Sequence, residues 1–341
     1  MDAAVVTYAR RIQMTTPTED NIETTSTPRE GRATRDFETA QRRLFEGTDL
    51  HTQSRFINLE NPRVRTHVFE SGPIDDDPPL VFVHGGMLFG AFFAPLMAQF
   101  DDTRMIAFDR PGYGLSDRFV YTKGNIRQNA SDVIGGVLDE LGIERADLVG
   151  QSGGGYASIQ FALAHPERVR RLILIGAVAN FPGTPLPVPF RLMTVPLLNH
   201  LLQRLQKPGE EGVLDFLELV GEREAIQRYP ALIRAMAAHQ DVIQARGAGM
   251  SELKAHFSIR GWRASSRIRE EELRNIQQPT LAIWGTNDPF GTPEEVRDSI
   301  DLIPDVRLET MDSGHAVFLR YPERCAQLIH EMRERNTHEA E

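Results

Sequence analysis

The chain has 341 residues, 40% hydrophobic and 25% charged, long enough for two compact units or one domain with an insertion and apolar enough for a large core. Its formal net charge of −10 repels polyanions, which excludes general binding to nucleic acid or an anionic membrane surface. The single cysteine, Cys325, excludes an internal disulfide and most cysteine-built metal sites.

Residues 1–35 are rich in Thr, Glu, Arg and Pro, with almost no large apolar side chain after Met14. Burial cannot offset the ordering entropy of such a segment, so disorder is expected there. The first residues, MDAAVVTYARRIQ, lack the apolar centre of a signal peptide, and no stretch reaches the roughly 18 apolar residues that span a bilayer. The cytoplasm is the expected compartment. Residues 36–48 space Phe37, Leu44 and Phe45 as a short helix would, docking on the main domain.

From about residue 54, strands alternate with helices. RFINLEN and VRTHVFE read as two antiparallel strands, followed by a turn at GPIDDDPP. LVFVH (80–84), RMIAFD (104–109), ADLVGQ (146–151) and RLILIG (171–176) are apolar runs of the kind that fill a sheet covered on both faces. Helical stretches lie near 90–100, 126–142 and 154–164, the last stopped by Pro166. The alternation returns with a strand at 279–285, a helix near 293–301, a strand at 306–312 and a helix near 316–335. Between residue 180 and about 270 it is replaced by the Pro-rich FPGTPLPVPF and then by helix-period apolar residues with Arg/Glu pairs. The expected architecture is an α/β domain over 36–180 and 270–335, its sheet parallel with right-handed crossovers. A mostly helical insertion over 181–269 interrupts it, and residues 336–341 form a tail.

Three polar residues stand out because each falls in the first loop after a different parallel strand, the edge where α/β sheets carry chemistry. Residues 150–154, Gly-Gln-Ser-Gly-Gly, fit G-x-S-x-G between a buried strand and a helix. There, a sharp turn exposes the Ser152 hydroxyl, glycines let backbone pass close by, and the helix N-terminus favours negative charge. Serine at its free pKa is a poor nucleophile and needs a base. His315, in MDSGHAVF after the last strand, is that base, and Asp288, in GTNDPF after the strand before it, is the acid. Asn-Asp-Pro also favours an ordinary Asx turn, and Asp312 is the alternative acid.

With its order Ser152, Asp288, His315, the chain resembles the α/β-hydrolases over about residues 50–335. His84-Gly85-Gly86 after the third strand resembles the family's oxyanion loop, and FDRPGYGLSD (108–117) resembles the D-x-x-G-x-G-x-S segment of its capped members. The resemblance implies a mostly parallel eight-stranded sheet flanked by helices, with a helical lid after strand 6. It further implies an oxyanion hole made by the backbone amides of Gly86 and Gly153, with Met87 replacing Gly86 if the loop is shifted by one. His84, Asp109 and Arg110 would brace this edge.

A serine nucleophile argues against epoxide hydrolases and haloalkane dehalogenases, which resemble this fold but use an aspartate. The expected activity is a serine hydrolase cleaving a carboxylic ester or related acyl compound through an acyl-enzyme, without metal or organic cofactor. A C–C bond hydrolase or an iminopeptidase-like enzyme of the same fold is the alternative. A ligand-binding receptor that has lost turnover is the alternative from another class. The partner is a small molecule. Met87 and Phe89 beside the oxyanion loop, with Phe181 and Phe190 in the insertion, are the candidate substrate contacts and suggest an apolar substrate of small to medium size. Arg260, Arg263, Arg267 and Arg269 are placed either to meet a substrate carboxylate or on a solvated charged face.

Overall fold

The computed structural model describes residues 28–48, 50–195, 198 and 207–335. Eight strands form one sheet in the order β1-β2-β4-β3-β5-β6-β9-β10. They are β1 (Gln53–Glu60), β2 (Arg63–Ser71), β3 (Leu80–Val83), β4 (Met105–Phe108), β5 (Ala146–Gln151), β6 (Val169–Ile175), β9 (Thr280–Gly285) and β10 (Val306–Met311). β2 pairs antiparallel with β1 and β4, and all the remaining pairs are parallel.

The apolar runs are central strands because both of their faces are covered. Leu80 and Phe82 join a cluster with Val149, Ile173 and Ile283 on one face, and Val81 and Val83 join Leu148, Leu172 and Trp284 on the other. The second face is closed by α3 (Ile126–Glu140) and α4 (Gly153–Ala164), and the first partly by α12 (Pro322–Arg335). That last helix begins later than residue 316. A short 3-10 turn, Val317–Leu319, precedes it, and Pro322 opens it, where a residue without an N–H breaks no helical bond.

The insertion after β6 carries α5 (Val188–Met193), α6 (Gly209–Leu219), α7 (Arg223–Ile226), α8 (Pro230–Arg246) and α9 (Ala248–His256). It closes with a small hairpin, β7 (Phe257–Ser258) and β8 (Gly261–Trp262), which the helical pattern did not suggest. Among the described residues no helix is long and apolar enough to cross a membrane.

The N-terminal boundary differs from expectation. Helix α1 runs over Pro28–Glu46, so the last eight residues of the segment expected to be disordered, 28–35, are helical; residues 1–27 and the 336–341 tail lie outside the described residues. Ala33, Phe37 and Leu44 are buried at helical spacing. Glu30 is also buried and reaches Arg118 of the core and Arg246 at the end of α8. Such a helix, whose buried stripe includes a paired carboxylate, has little hydrophobic signal in composition.

Candidate active site

β5 ends at Gln151 and α4 starts at Gly153, leaving Ser152 at the turn with φ 53° and ψ −115°. A side chain bearing Cβ resists that conformation, so the surrounding packing must impose it. The flanking glycines explain how. A Cβ on Gly150 would lie 2.7 Å from the Gly154 carbonyl oxygen, and one on Gly154 only 1.8 Å from the Val83 carbonyl oxygen. Only glycine permits the helix start to sit so close to β3.

Asp288 and His315 come together across the ends of β9 and β10. His315 Nδ1 lies 2.8 Å from Asp288 Oδ2. The same oxygen accepts the Ala177 amide at 2.8 Å, and Oδ1 accepts the Phe290 amide at 2.9 Å. Those amides fix the carboxylate's direction, and the carboxylate holds the imidazole with Nδ1 as donor, leaving Nε2 free to accept a proton. Asp312 is engaged elsewhere, accepting from the exposed Asn287 side chain at 2.9 Å. The His315 loop fits tightly over β6, since a Cβ on Gly176 would stand 2.2 Å from the His315 carbonyl oxygen.

The oxyanion-loop candidates face the helix start. A Cβ on Gly153 would be 3.3 Å from the Gly86 amide nitrogen. Met87 beside it takes a positive φ of 64°. His84 is buried and braces this loop, Nδ1 bonding the Gly85 carbonyl at 2.8 Å and Nε2 accepting the Arg110 amide at 2.9 Å. Burial drives its pKa down to about 3, so it stays neutral. Asp109 accepts from the amides of Gly90 and Leu115 and faces His67 at 2.9 Å.

Ser152, His315, Gly86, Met87 and Gly153 all line one cavity of about 860 Å³ whose walls are mostly apolar, among them Leu88, Phe92, Val178, Phe190 and Phe216. Two of the four candidate substrate contacts therefore sit in the wall, Met87 and Phe190. The other two belong to the core. Phe89 is buried with its ring 5.0 Å from Phe37 of α1 and 4.9 Å from His239, and Phe181 packs near Trp284. Phe89 starts a 3-10 turn, which turns successive side chains to different sides, so a run of aromatic residues does not all face one cavity. Met87, Phe190 and Phe216 also border a neighbouring cavity of about 940 Å³ under the lid, rich in methionine (Met193, Met236, Met250).

The lid supplies residues that strand and loop patterns do not single out. Glu252 and His256 of α9 line the site cavity. Glu252 is buried beside the candidate oxyanion loop, 3.6 Å from where a Cβ on Gly86 would be. It pairs with Arg110 at 2.6 Å and accepts a hydrogen bond from Tyr113. Desolvation raises its carboxyl pKa, but the Arg110 charge and hydrogen bonds outweigh that and hold it down at about 2. His256, buried and bonded to Asn180 at 2.6 Å, is pushed down to about 4. The Glu252/His256 spacing of four on one helix was the available signal, since it places both on one face. The lid arginines turn elsewhere. Arg263 donates to the Lys254 and Phe257 carbonyls, and Arg269 pairs with Glu272.

Residues 78–322 match the family model described as alpha/beta hydrolase fold. A 2-hydroxy-6-oxononadienedioate/2-hydroxy-6-oxononatrienedioate hydrolase of Burkholderia vietnamiensis is 30% identical over 256 residues, 71% of this chain and 83% of that protein. Among solved structures, a Bacillus subtilis carboxylesterase superposes with TM-score 0.69 at 22% identity, over 88% of this chain and 98% of its own. A 2-hydroxy-6-oxo-6-phenylhexa-2,4-dienoate hydrolase from Rhodococcus gives TM-score 0.65 at 18% identity, over 84% and 99%. Sheet order, lid position and family match agree, and the chain belongs to the α/β-hydrolase family.

Proposed function

We propose that this chain is a serine hydrolase that cleaves carboxylic esters with an apolar acyl group. The observation that carries the proposal is the Asp288–His315 hydrogen bond opening, together with Ser152 and the loop at Gly86, onto one apolar cavity. Ser152 Oγ attacks the ester carbonyl as His315 Nε2 takes its proton, and the Gly86 and Gly153 amides receive the charge on the carbonyl oxygen. The C–O bond then breaks, and His315 returns the proton to the departing alcohol. Water, deprotonated by His315, hydrolyses the acyl-enzyme and restores Ser152.

Relatives named for dienedioate cleavage favour a second reading, C–C bond hydrolysis. Such substrates carry carboxylates, which a buried site holds with cations. Among the described residues lining the cavity the ionisable side chains are Glu252, His256 and His315, with no arginine or lysine. Arg110, the cation nearest to the loop, is already neutralised by Glu252. This balance supports a neutral substrate and places the ester reading first.

Turnover of a p-nitrophenyl ester series from acetate to decanoate, alongside a 2-hydroxy-6-oxo-dienoate, tests both, with Ser152→Ala as control. Ester cleavage lost in the variant supports the proposal. Cleavage of the dienoate alone would reverse the ranking. Failure to cleave either, with no covalent labelling of Ser152 by a fluorophosphonate, would point to a ligand-binding role.

A further inference from the structure

The segment Val220–Glu222, between α6 and α7 of the lid, lies directly against the loop that carries His315. The His315 amide donates to the Val220 carbonyl at 2.9 Å. One carboxylate oxygen of Glu222, Oε1, accepts both the Ser313 hydroxyl at 2.9 Å and the Ala316 amide at 3.0 Å. Those two donors flank His315 on either side. The backbones also touch. A Cβ on Gly314 would come 2.3 Å from the Val220 oxygen and 2.8 Å from Gly221, whose own φ is +77°. Side chains are thus excluded from the contact on both strands of chain, and the lid meets the histidine loop backbone to backbone. Glu222 is buried, and its other oxygen, Oε2, has no hydrogen-bond partner among the described residues.

A carboxylate in such a place is expensive to bury without a cation. Among the described residues no side-chain ion pair to it is formed, and its hydrogen-bond donors are a hydroxyl and an amide. We infer that Glu222 is a positioning residue for His315, through which the docked lid sets the histidine loop in the geometry that the serine requires. Given the serine nucleophile proposed above, on which this inference rests, the lid would do more than cover substrate. It would complete the catalytic base.

The groups facing Glu222 are His315 on the loop itself, Arg320 just beyond it and Cys325 on α12. On its own segment Arg223 is bound to Asp215 and Glu218, and Glu224 to Arg320, so their charges are largely engaged. Burial pushes the Glu222 carboxyl up to about 7. Its ionisation therefore falls in a range where a pH–rate profile reports it.

The test measures fluorophosphonate labelling of Ser152, which reads serine–histidine reactivity without assuming a natural substrate, and ester turnover from pH 5 to 9. Glu222→Ala removes the acceptor of both hydrogen bonds and is expected to lower labelling and kcat by roughly 10²-fold with KM changed less than about twofold. Glu222→Gln keeps an acceptor oxygen and removes the charge. It is expected to stay within about threefold of wild type at pH 8 and to lose one ionisation from the acid limb of the profile. A folded Glu222→Ala protein labelled at the wild-type rate overturns the inference. If that variant does not fold, a Glu222→Gln profile identical to wild type overturns it instead. Absence of labelling in the wild-type protein would count against the serine nucleophile, a different failure.

Discussion

Two lid glutamates are buried against the carboxyl edge of the sheet, and their pKa values are shifted in opposite directions. Glu252 meets Arg110 at 2.6 Å and is held down at about 2. Glu222 meets a hydroxyl and an amide and is pushed up to about 7. Desolvation acts on both in the same direction, so burial alone does not decide the charge; the presence of a paired cation does. The first anchor is an ion pair against the loop at Gly85 and Gly86, and the second is a carboxyl held on the loop of His315.

The largest expected effects belong to the proposed reacting edge beside both anchors. Ser152→Ala and Asp288→Asn should each lower ester kcat by about 10⁴-fold or more, by analogy with other serine hydrolases, while leaving thermal unfolding near wild type. Normal turnover in the asparagine variant would remove Asp288 from its role.

Arg110→Met leaves Glu252 buried without its cation and should cost about 3–5 kcal/mol in urea unfolding, whereas the double variant with Glu252→Met should recover most of that loss. Equal losses in single and double variants would mean that packing, and not the charge pair, holds the first anchor.

The pH dependence of stability separates the anchors further. Because the folded Glu222 carboxyl sits at about 7, above its ordinary 4.5, the folded chain keeps a proton that the unfolded chain releases. Its contribution therefore declines as pH rises through that window, by about 3 kcal/mol. Unfolding free energies of Glu222→Gln should lack this decline between pH 5 and 8. Glu252 has the reverse sign: with its folded value near 2, its stabilisation is present above 4.5 and is lost as pH falls toward 2. A Glu222→Gln protein as pH-sensitive as wild type would erase the distinction.

The smallest expected effect concerns the methionine-rich cavity beside the site. Met236→Trp should fill it and lower kcat/KM for decanoate esters by about tenfold, roughly 1.4 kcal/mol, with acetate esters little changed. An unchanged chain-length profile would confine substrate to the cavity at Ser152.

Much of the proposed reacting edge was legible in sequence because local backbone chemistry makes it. Gly150, Gly153 and Gly154 around Ser152 announce a tight strand-to-helix turn, and continuous apolar strands announce a sheet covered on both faces. Asp288 and His315 were found through their places after two successive strands. The candidate substrate contacts were harder. Phe89 and Phe181 carry the same aromatic signal as Phe190, and only the path of the chain decides which ring faces the core and which the cavity. Helix α1 was half hidden for another reason: Glu30, a charged residue within the stretch expected to be disordered, is one of its buried contacts.

The sequence by itself determined the α/β sheet, the places of Ser152, Asp288 and His315 after three of its strands, and the place of the lid, since each follows from periodicity and turn chemistry over short stretches of chain. Only the tertiary structure decided that Arg110 meets Glu252 and that Glu222 clasps the loop of His315, pairings separated by 142 and about 90 residues. Partners so distant leave no local pattern, and whether a buried glutamate's pKa is pulled down or pushed up depends on which partner the fold delivers to it.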